Sequence, residues 1–134
     1  MTRLELLKVV SALTELGNRA LPTINSDLRV AKLLRLLKPE ADDIDKARAK
    51  LVSEATERAS KTENKVEQNA INAKLIDELN AFFSEPAEAE LPPEDKRIHE
   101  TDLPKAKAGD ESSDNRKALA VLIVDLGDLY IFTN

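Results

Sequence analysis

Apolar residues recur at helical spacing through the middle of the chain, over residues 26–59. Most residues that would lie next to these on the helix surface are also apolar. The repeat falls every seven residues at Val30, Leu37, Ile44 and Leu51. Such a pattern predicts a long helix with one apolar face. Ser26 is the residue we expect to cap its N-terminus.

Pro39 interrupts this pattern and leaves two interpretations open. A proline inside a helix costs about 3 kcal/mol and removes one backbone hydrogen bond. The helix either continues through Pro39 with a kink, or breaks at Lys38 so that Pro39 begins a new helix. The acidic residues that follow suit a helix N-terminus, which keeps the second interpretation open.

Helices are also predicted before and after the central one. Thr2 and Glu5 have the spacing of a capping box, and the apolar positions behind them predict a helix to Leu16, stopped by Gly17 and Asn18. A polar reversal at 60–64 is followed by helical spacing over 66–84. Short connections favour antiparallel neighbours, so the third helix is expected to return along the second. The residues expected to be buried in this hairpin are Leu37, Ile44, Leu51, Ile76 and Leu79.

Shorter elements are predicted in the last third of the chain. We expect strands at 87–91, at 97–101 with Ile98 facing inward, and at 129–133. We expect an exposed loop over 103–113 and a helix over 115–126 that ends at Gly127. Because short strands need an apolar anchor, Phe83 is expected to contact the C-terminal segment through Leu119, Leu122 or Ile123.

Together these elements predict a mainly α fold. A long antiparallel helical hairpin and an N-terminal helix occupy residues 1–85, and a small α+β cap occupies 86–134. With 134 residues, one domain over 1–134 is the expectation.

Composition excludes several classes of function. The chain has no cysteine, which rules out disulfides, thiolate catalysis and cysteine-bound zinc. No apolar run reaches the roughly 18 residues of a membrane span, and Glu5 and Lys8 interrupt any leader-like pattern. A soluble protein of the cytoplasm is therefore expected.

Charge is unevenly distributed. Residues 1–38 hold seven basic and three acidic residues, a net +4, whereas 39–134 hold thirteen and twenty-two, a net −9; together these give the −5 of the whole chain. A cationic front and an acidic back can steer a partner or a second copy of the chain.

Candidate chemistry is sparse. His99 is the single histidine and lacks the companions that a metal site needs, so we expect an exposed histidine in a strand or loop. Asp42, Asp43 and Asp45 resemble part of a calcium loop, but no frame that starts at one of them has both a glycine at the sixth position and a glutamate at the twelfth. No phosphate-binding glycine loop or nucleophile elbow occurs. We therefore predict no catalytic residue, cofactor or metal, and we do not expect an enzyme.

Basic residues spaced by three form a stripe on the central helix: Arg29, Lys32, Arg35 and Lys38. A stripe of this kind can touch phosphates, but no aromatic platform accompanies it and the chain is acidic overall. Contact with acidic residues of the third helix or of a partner is the preferred interpretation. These four residues are the predicted partner-binding site.

Several packing motifs carry a resemblance to a known family. They are Ala20-Leu21-Pro22, Val30-Ala31-Lys32-Leu33-Leu34, Pro39-Glu40, Ala47-Arg48, Leu51-Val52 and Leu79-Asn80, with a looser match at Leu126-Gly127-Asp128-Leu129. With these motifs the first ninety residues resemble a family of small uncharacterised proteins encoded by tailed phages and prophages. The resemblance implies an accessory or virion-associated protein and implies no site residues.

Three functions are therefore weighed. The leading one is a non-enzymatic phage structural or assembly protein of the tail, neck or capsid. It would contact itself or other phage structural proteins as a homo-oligomer or part of a larger assembly. The alternatives are a small acidic inhibitor of a host enzyme or anti-phage defence protein, and a nucleic-acid-binding module that uses the basic stripe. The expected location is the host cytoplasm or the virion, with no membrane and no small-molecule substrate.

Overall fold

Helices dominate the computed structural model, which describes residues 1–104 and 113–131. The helices of these ranges are α1 (Arg3–Gly17), α2 (Ile24–Ser60), α3 (Lys65–Ser84) and α4 (Ser113–Leu126). Two short strands, β1 (Ile98–His99) and β2 (Tyr130–Ile131), pair in parallel with Ile98 opposite Tyr130. The predicted mainly α fold is confirmed.

The first two helices begin at threonines. The Thr2 hydroxyl accepts the Glu5 backbone N–H at 3.2 Å, as the sequence predicted for α1. For α2 the cap is Thr23, whose hydroxyl accepts the Ser26 backbone N–H at 3.1 Å, so the prediction of Ser26 as the cap was wrong. Serine and threonine are both favoured N-cap residues, and serine is the more favoured of the two. What separates them here is that Ser26 is buried and bonded to a distant carboxylate.

The helix α2 continues without a break through Pro39. Of the two interpretations left open, the structure therefore shows the continuous helix. Pro39 is exposed, and the face on either side of it carries Leu37 and Ala41, both buried. Burial of that face on both sides offsets the hydrogen bond that proline removes.

The core lies where α1 packs across the first half of α2, with α4 on another side of α1. The α1 residues Leu6 and Leu13 are fully buried, as is Leu37 of α2. Beyond Ile44, Ala55 is the one buried residue of α2, all of which the structure describes. The core is thus centred on α1, and the helical hairpin is its outer part.

The helices α2 and α3 run antiparallel, as predicted. Near the turn, the Gln68 side-chain amide donates to the carbonyls of Ala59 and Thr62 at 3.4 and 2.9 Å. At the other end of α3, Phe82 lines a cavity with Ile44 of α2. Later residues of α3 thus lie beside earlier residues of α2, as antiparallel helices require.

The face of α3 that meets α2 differs from the predicted one. Ile76, expected in the hairpin core, is 58% exposed, and Val66 is 75% exposed. Ile71 and Leu75 instead lie beside Ala55 and line a small cavity with it. No residue of α3 is buried in the structure. Leu51 and Leu79 are half-buried, so of the five residues predicted for this core only Leu37 and Ile44 are buried.

The segment after α3 is held against the chain start and α2 without forming the strand predicted at 87–91. Thr2 and Pro86 form one isolated antiparallel bridge. The two carboxylate oxygens of Glu40 accept the backbone N–H groups of Glu88 and Ala89 at 2.6 and 2.7 Å. Those side-chain bonds satisfy the donors that a neighbouring strand would otherwise take.

The strand predicted at 97–101 is reduced to β1, after which Glu100–Asp102 forms a 3-10 turn. Ile98 is fully buried, as predicted. Leu103, which the sequence placed at the start of an exposed loop, is also buried. Residues 105–112, the centre of that predicted loop, lie outside the described residues.

At the C-terminal end, α4 stops at Leu126, and Gly127 has a φ of +54°, a conformation that favours glycine. Leu122 is buried, and Leu119 and Ile123 pack against the same core. The predicted strand at 129–133 is seen as β2, and Phe132 lies outside the described residues. The contact of Phe83 with the C-terminal segment stays a prediction.

Candidate protein-binding groove

The four residues of the predicted basic stripe do not share one environment. Lys32, Arg35 and Lys38 are exposed on α2. The Arg29 side chain is 30% exposed, and its Nε lies 3.2 Å from Oδ2 of Asp102. Its Nη1 donates to the backbone carbonyls of Asp95 and Arg97. The structure therefore separates one internally bonded arginine from three cations that face solvent.

Asp102 gathers the polar contacts around Arg29. Its Oδ1 accepts the Ser26 hydroxyl at 2.8 Å, and its Oδ2 accepts the backbone N–H of His99 at 3.0 Å. The residue is only 7% exposed, so these contacts replace the water that a carboxylate otherwise needs. The cluster fastens the 3-10 turn at Glu100–Asp102 to the first turns of α2.

His99 belongs to the cluster around Asp102 and is not the exposed histidine that the sequence suggested. It is half-buried, and its Nε2 lies 3.1 Å from the carbonyl oxygen of Glu94. Within the described residues, no group of three potential metal ligands comes together. Asp42, Asp43 and Asp45 lie on the exposed side of α2, as expected.

The contacts of Arg29 and Asp102 hold segment 92–96 beside α2. A groove remains between this segment and the helix. The cavity in this groove has a volume of about 540 Å³. Its lining combines apolar and charged side chains: Asn25, Leu28, Arg29, Lys32, Leu33, Leu36, Pro92, Asp95 and Lys96. We call this the α2 groove.

Two leucines of the α2 groove are exposed although their chemistry favours burial. Leu28 is 49% exposed and Leu36 is 58% exposed, whereas Leu33 beneath them is 3% exposed. Lys32 lies between the two leucines, and Lys96 lies on the opposite wall. The α2 groove therefore offers an apolar floor flanked by Lys32 and Lys96, with the single carboxylate of Asp95 in its lining. Such a surface suits an apolar side chain with a carboxylate placed near the lysines.

Two smaller cavities lie elsewhere among the described residues. One of about 290 Å³ lies between the start of α1 and the end of α4, where Glu5, Lys8, Asp125 and Asp128 share its lining with apolar residues. Another, of about 210 Å³, lies beside Arg3, whose guanidinium is 4.5 Å from the centre of the Phe82 ring. Arg3 also pairs with Glu85 at 2.9 Å, so its charge is used internally.

The exposed leucines are the part of the α2 groove that the stripe prediction missed. Ile24, Leu28 and Leu36 recur at multiples of four, which places them along one side of α2. The seven-residue repeat predicted a single apolar face for this helix. A second apolar side, interleaved with the basic residues, was the available signal.

Comparisons with protein-family models, with curated protein sequences and with solved structures find no match to this chain. None of the helices in the described part has both the length and the apolar character that crossing a bilayer requires. The features that bear on function are therefore the surfaces of the molecule.

Proposed function

We propose that the protein acts without catalysis, through protein–protein contacts, as a structural or assembly protein of a tailed phage. The observation that carries the protein-binding part is the α2 groove with its exposed leucines and flanking lysines. The phage assignment draws on the resemblance of the first ninety residues to phage-encoded proteins.

The chemistry of the α2 groove favours a particular kind of partner. Leu28 and Leu36 supply the apolar contact, and fully burying a leucine contributes about 1.5–3 kcal/mol. Lys32 is exposed between them and forms no ion pair with the described residues. A partner segment with an apolar anchor and nearby acidic side chains satisfies both requirements, as amphipathic helices do when they bind grooves.

The wall at 92–96 is held by hydrogen bonds from Arg29, and this favours a binding role over incidental exposure. Because Arg29 bonds the carbonyls of Asp95 and Arg97, the wall is set before any partner arrives. Groups that are already ordered lose less conformational freedom on association. The α2 groove thus combines a preformed shape with exposed apolar side chains.

The test is to measure the protein in purified particles of the phage that encodes it, by quantitative mass spectrometry. A fixed copy number per particle, lost in Leu36→Glu, is the expected result. Val124→Glu is the matched control, because Val124 is 76% exposed and lies outside the α2 groove. Both variants should keep the helical circular dichroism of the parent.

Other outcomes distinguish the alternatives. Absence from particles together with stoichiometric co-purification of a host enzyme or defence protein would replace the assembly role by inhibition. Salt-dependent DNA binding that Lys32→Glu abolishes would favour the nucleic-acid alternative, because phosphate contacts make affinity fall steeply with salt.

A further inference from the structure

A second apolar surface lies on α3, away from α2. Val66 is 75% exposed, Ile76 is 58% exposed, and Ala70 and Ala73 between them are exposed as well. Spacings of four, three and three residues place these side chains along one side of the helix. We call this set the outer face of α3.

The opposite side of α3 is apolar too. Ile71 and Leu75 lie half-buried beside Ala55 of α2, and Leu79 follows them one turn later. A helix that is apolar on two opposite sides is typical of a position between neighbours, and one exposed side then lacks its neighbour. Among the described residues the outer face stays open to solvent, since Val66 and Ile76 are 75% and 58% exposed.

The shape of the outer face suits another helix. Ala70 and Ala73 at its centre are small, which lets two helix backbones approach closely, and the larger Val66 and Ile76 lie at its ends. An antiparallel second α3 that sets Val66 against the partner's Ile76 brings the small residues of both copies to the middle. That arrangement is self-complementary, as a twofold symmetric interface requires.

Charge complementarity favours a second copy as the occupant. In this register Glu67 lies within one residue of the partner's Lys74 along the seam, and Lys74 within one residue of the partner's Glu67, on the same flank of the two helices. The contacts that these side chains make within the chain are exposed: Glu67 accepts the Thr62 hydroxyl, and Lys74 lies 4.0 Å from Glu78. Opposite charges flanking an apolar seam are the arrangement that sets orientation in paired helices.

We propose that the outer face of α3 is a homodimer interface, in which two copies pair antiparallel through α3 and complete a four-helix arrangement with their α2 helices. The surface is separate from the α2 groove, so the proposal does not depend on the assembly role. The occupant is a second copy of this chain, and the contact requires no other component.

Sedimentation equilibrium over a range of concentrations tests this directly. The parent should show a monomer–dimer equilibrium, and Ala73→Glu should weaken it by more than about a hundredfold, because each dimer would bury two unpaired carboxylates. Ala31→Glu is the matched control: it adds the same charge at an exposed alanine of α2 and should dimerise like the parent. A parent that stays monomeric, or an Ala73→Glu variant that dimerises normally, would overturn the proposal.

Charge reversal supplies a second test that does not depend on one variant folding. Glu67→Lys and Lys74→Glu should each weaken the dimer by about tenfold, and the double variant should restore it. A merely additive loss in the double variant would contradict the register. The sequence contains no cysteine, so an introduced one can pair only with its copy in the second chain. Ala70→Cys should therefore form an interchain disulfide under oxidation, whereas Ala31→Cys should not.

Discussion

Replacing Arg29 by methionine tests whether the first residue of the basic stripe is part of the fold. Methionine keeps most of the aliphatic stem and removes the guanidinium. The change leaves the Asp102 carboxylate, 3.2 Å from Nε in the parent, without its cation. It also removes the donor to the carbonyls of Asp95 and Arg97. We therefore expect Arg29→Met to destabilise the protein.

The magnitude follows from burial. Breaking a fully buried ion pair by removing one partner costs about 3–5 kcal/mol. Here the Arg29 side chain is 30% exposed and that of Asp102 is 10% exposed. Asp102 also keeps its bonds from Ser26 and the His99 N–H. We expect a smaller loss of about 2–3 kcal/mol in the free energy of unfolding, or roughly 6–12 °C in Tm.

Urea unfolding followed by circular dichroism measures this loss. Lys32→Met is the matched control, since Lys32 is exposed three residues along the same helix and should change stability by less than about 0.5 kcal/mol. Asp102→Asn, which keeps an acceptor oxygen, completes a double-mutant cycle with an expected coupling of about 1–2 kcal/mol. An Arg29→Met variant as stable as Lys32→Met would refute the structural role of Arg29.

Three further predictions concern stability. Leu37→Ala should cost about 2–5 kcal/mol in urea unfolding because Leu37 is fully buried, whereas Leu36→Ala, 58% exposed in the parent, should cost less than about 1 kcal/mol. Pro39→Ala should raise the free energy of unfolding by about 1–2 kcal/mol. The restored helix hydrogen bond stabilises the folded state, and the greater flexibility of the unfolded chain offsets part of that gain. A loss of stability would contradict a continuous α2. Burial, and then the nearby negative charge of Glu100, raises the pKa of Tyr130 above its usual 10.0, so stability should decline as the pH rises through and beyond that value. Thermal melts of Tyr130→Phe should lose this alkaline decline, and a decline that persists would point to another group.

Local patterns predicted the helices well. The hydroxyl of Thr2 caps α1, the turn after Ser60 reverses the chain, and Gly127 closes α4 near the expected positions. Each of these depends on residues within one or two turns, where capping and glycine conformation act strongly. The choice between a kinked continuous helix and a break at Lys38 was left open, because the outcome at Pro39 depends on what buries the neighbouring turns.

The errors arise where distant residues decide the outcome. Ser26 and Asp102 lie 76 positions apart, and no local pattern shows that the hydroxyl of Ser26 is bonded there. Likewise α3 has two apolar sides, and periodicity alone does not show which one meets α2. The amide of Gln68 bonded near the turn and Phe82 packed near Ile44 define the side that faces α2. The stripe was predicted as one surface because spacing shows a common side and does not reveal internal bonding.

The α2 groove and the outer face of α3 lie on different helices and far apart in the molecule, and this separation has a consequence. The α2 groove lies at Leu28 and Leu36, whereas α3 meets α2 near Ala55. Nineteen helical residues separate Leu36 from Ala55, a distance of about 29 Å. A dimer formed through α3 therefore leaves both grooves open. It should bind an array of repeated partners, such as an assembled particle, far more tightly than Ala73→Glu does, because the second contact is intramolecular. On a single immobilised partner at low density, the parent and Ala73→Glu should bind equally. Equal affinity on the array as well would show that the two surfaces do not act together.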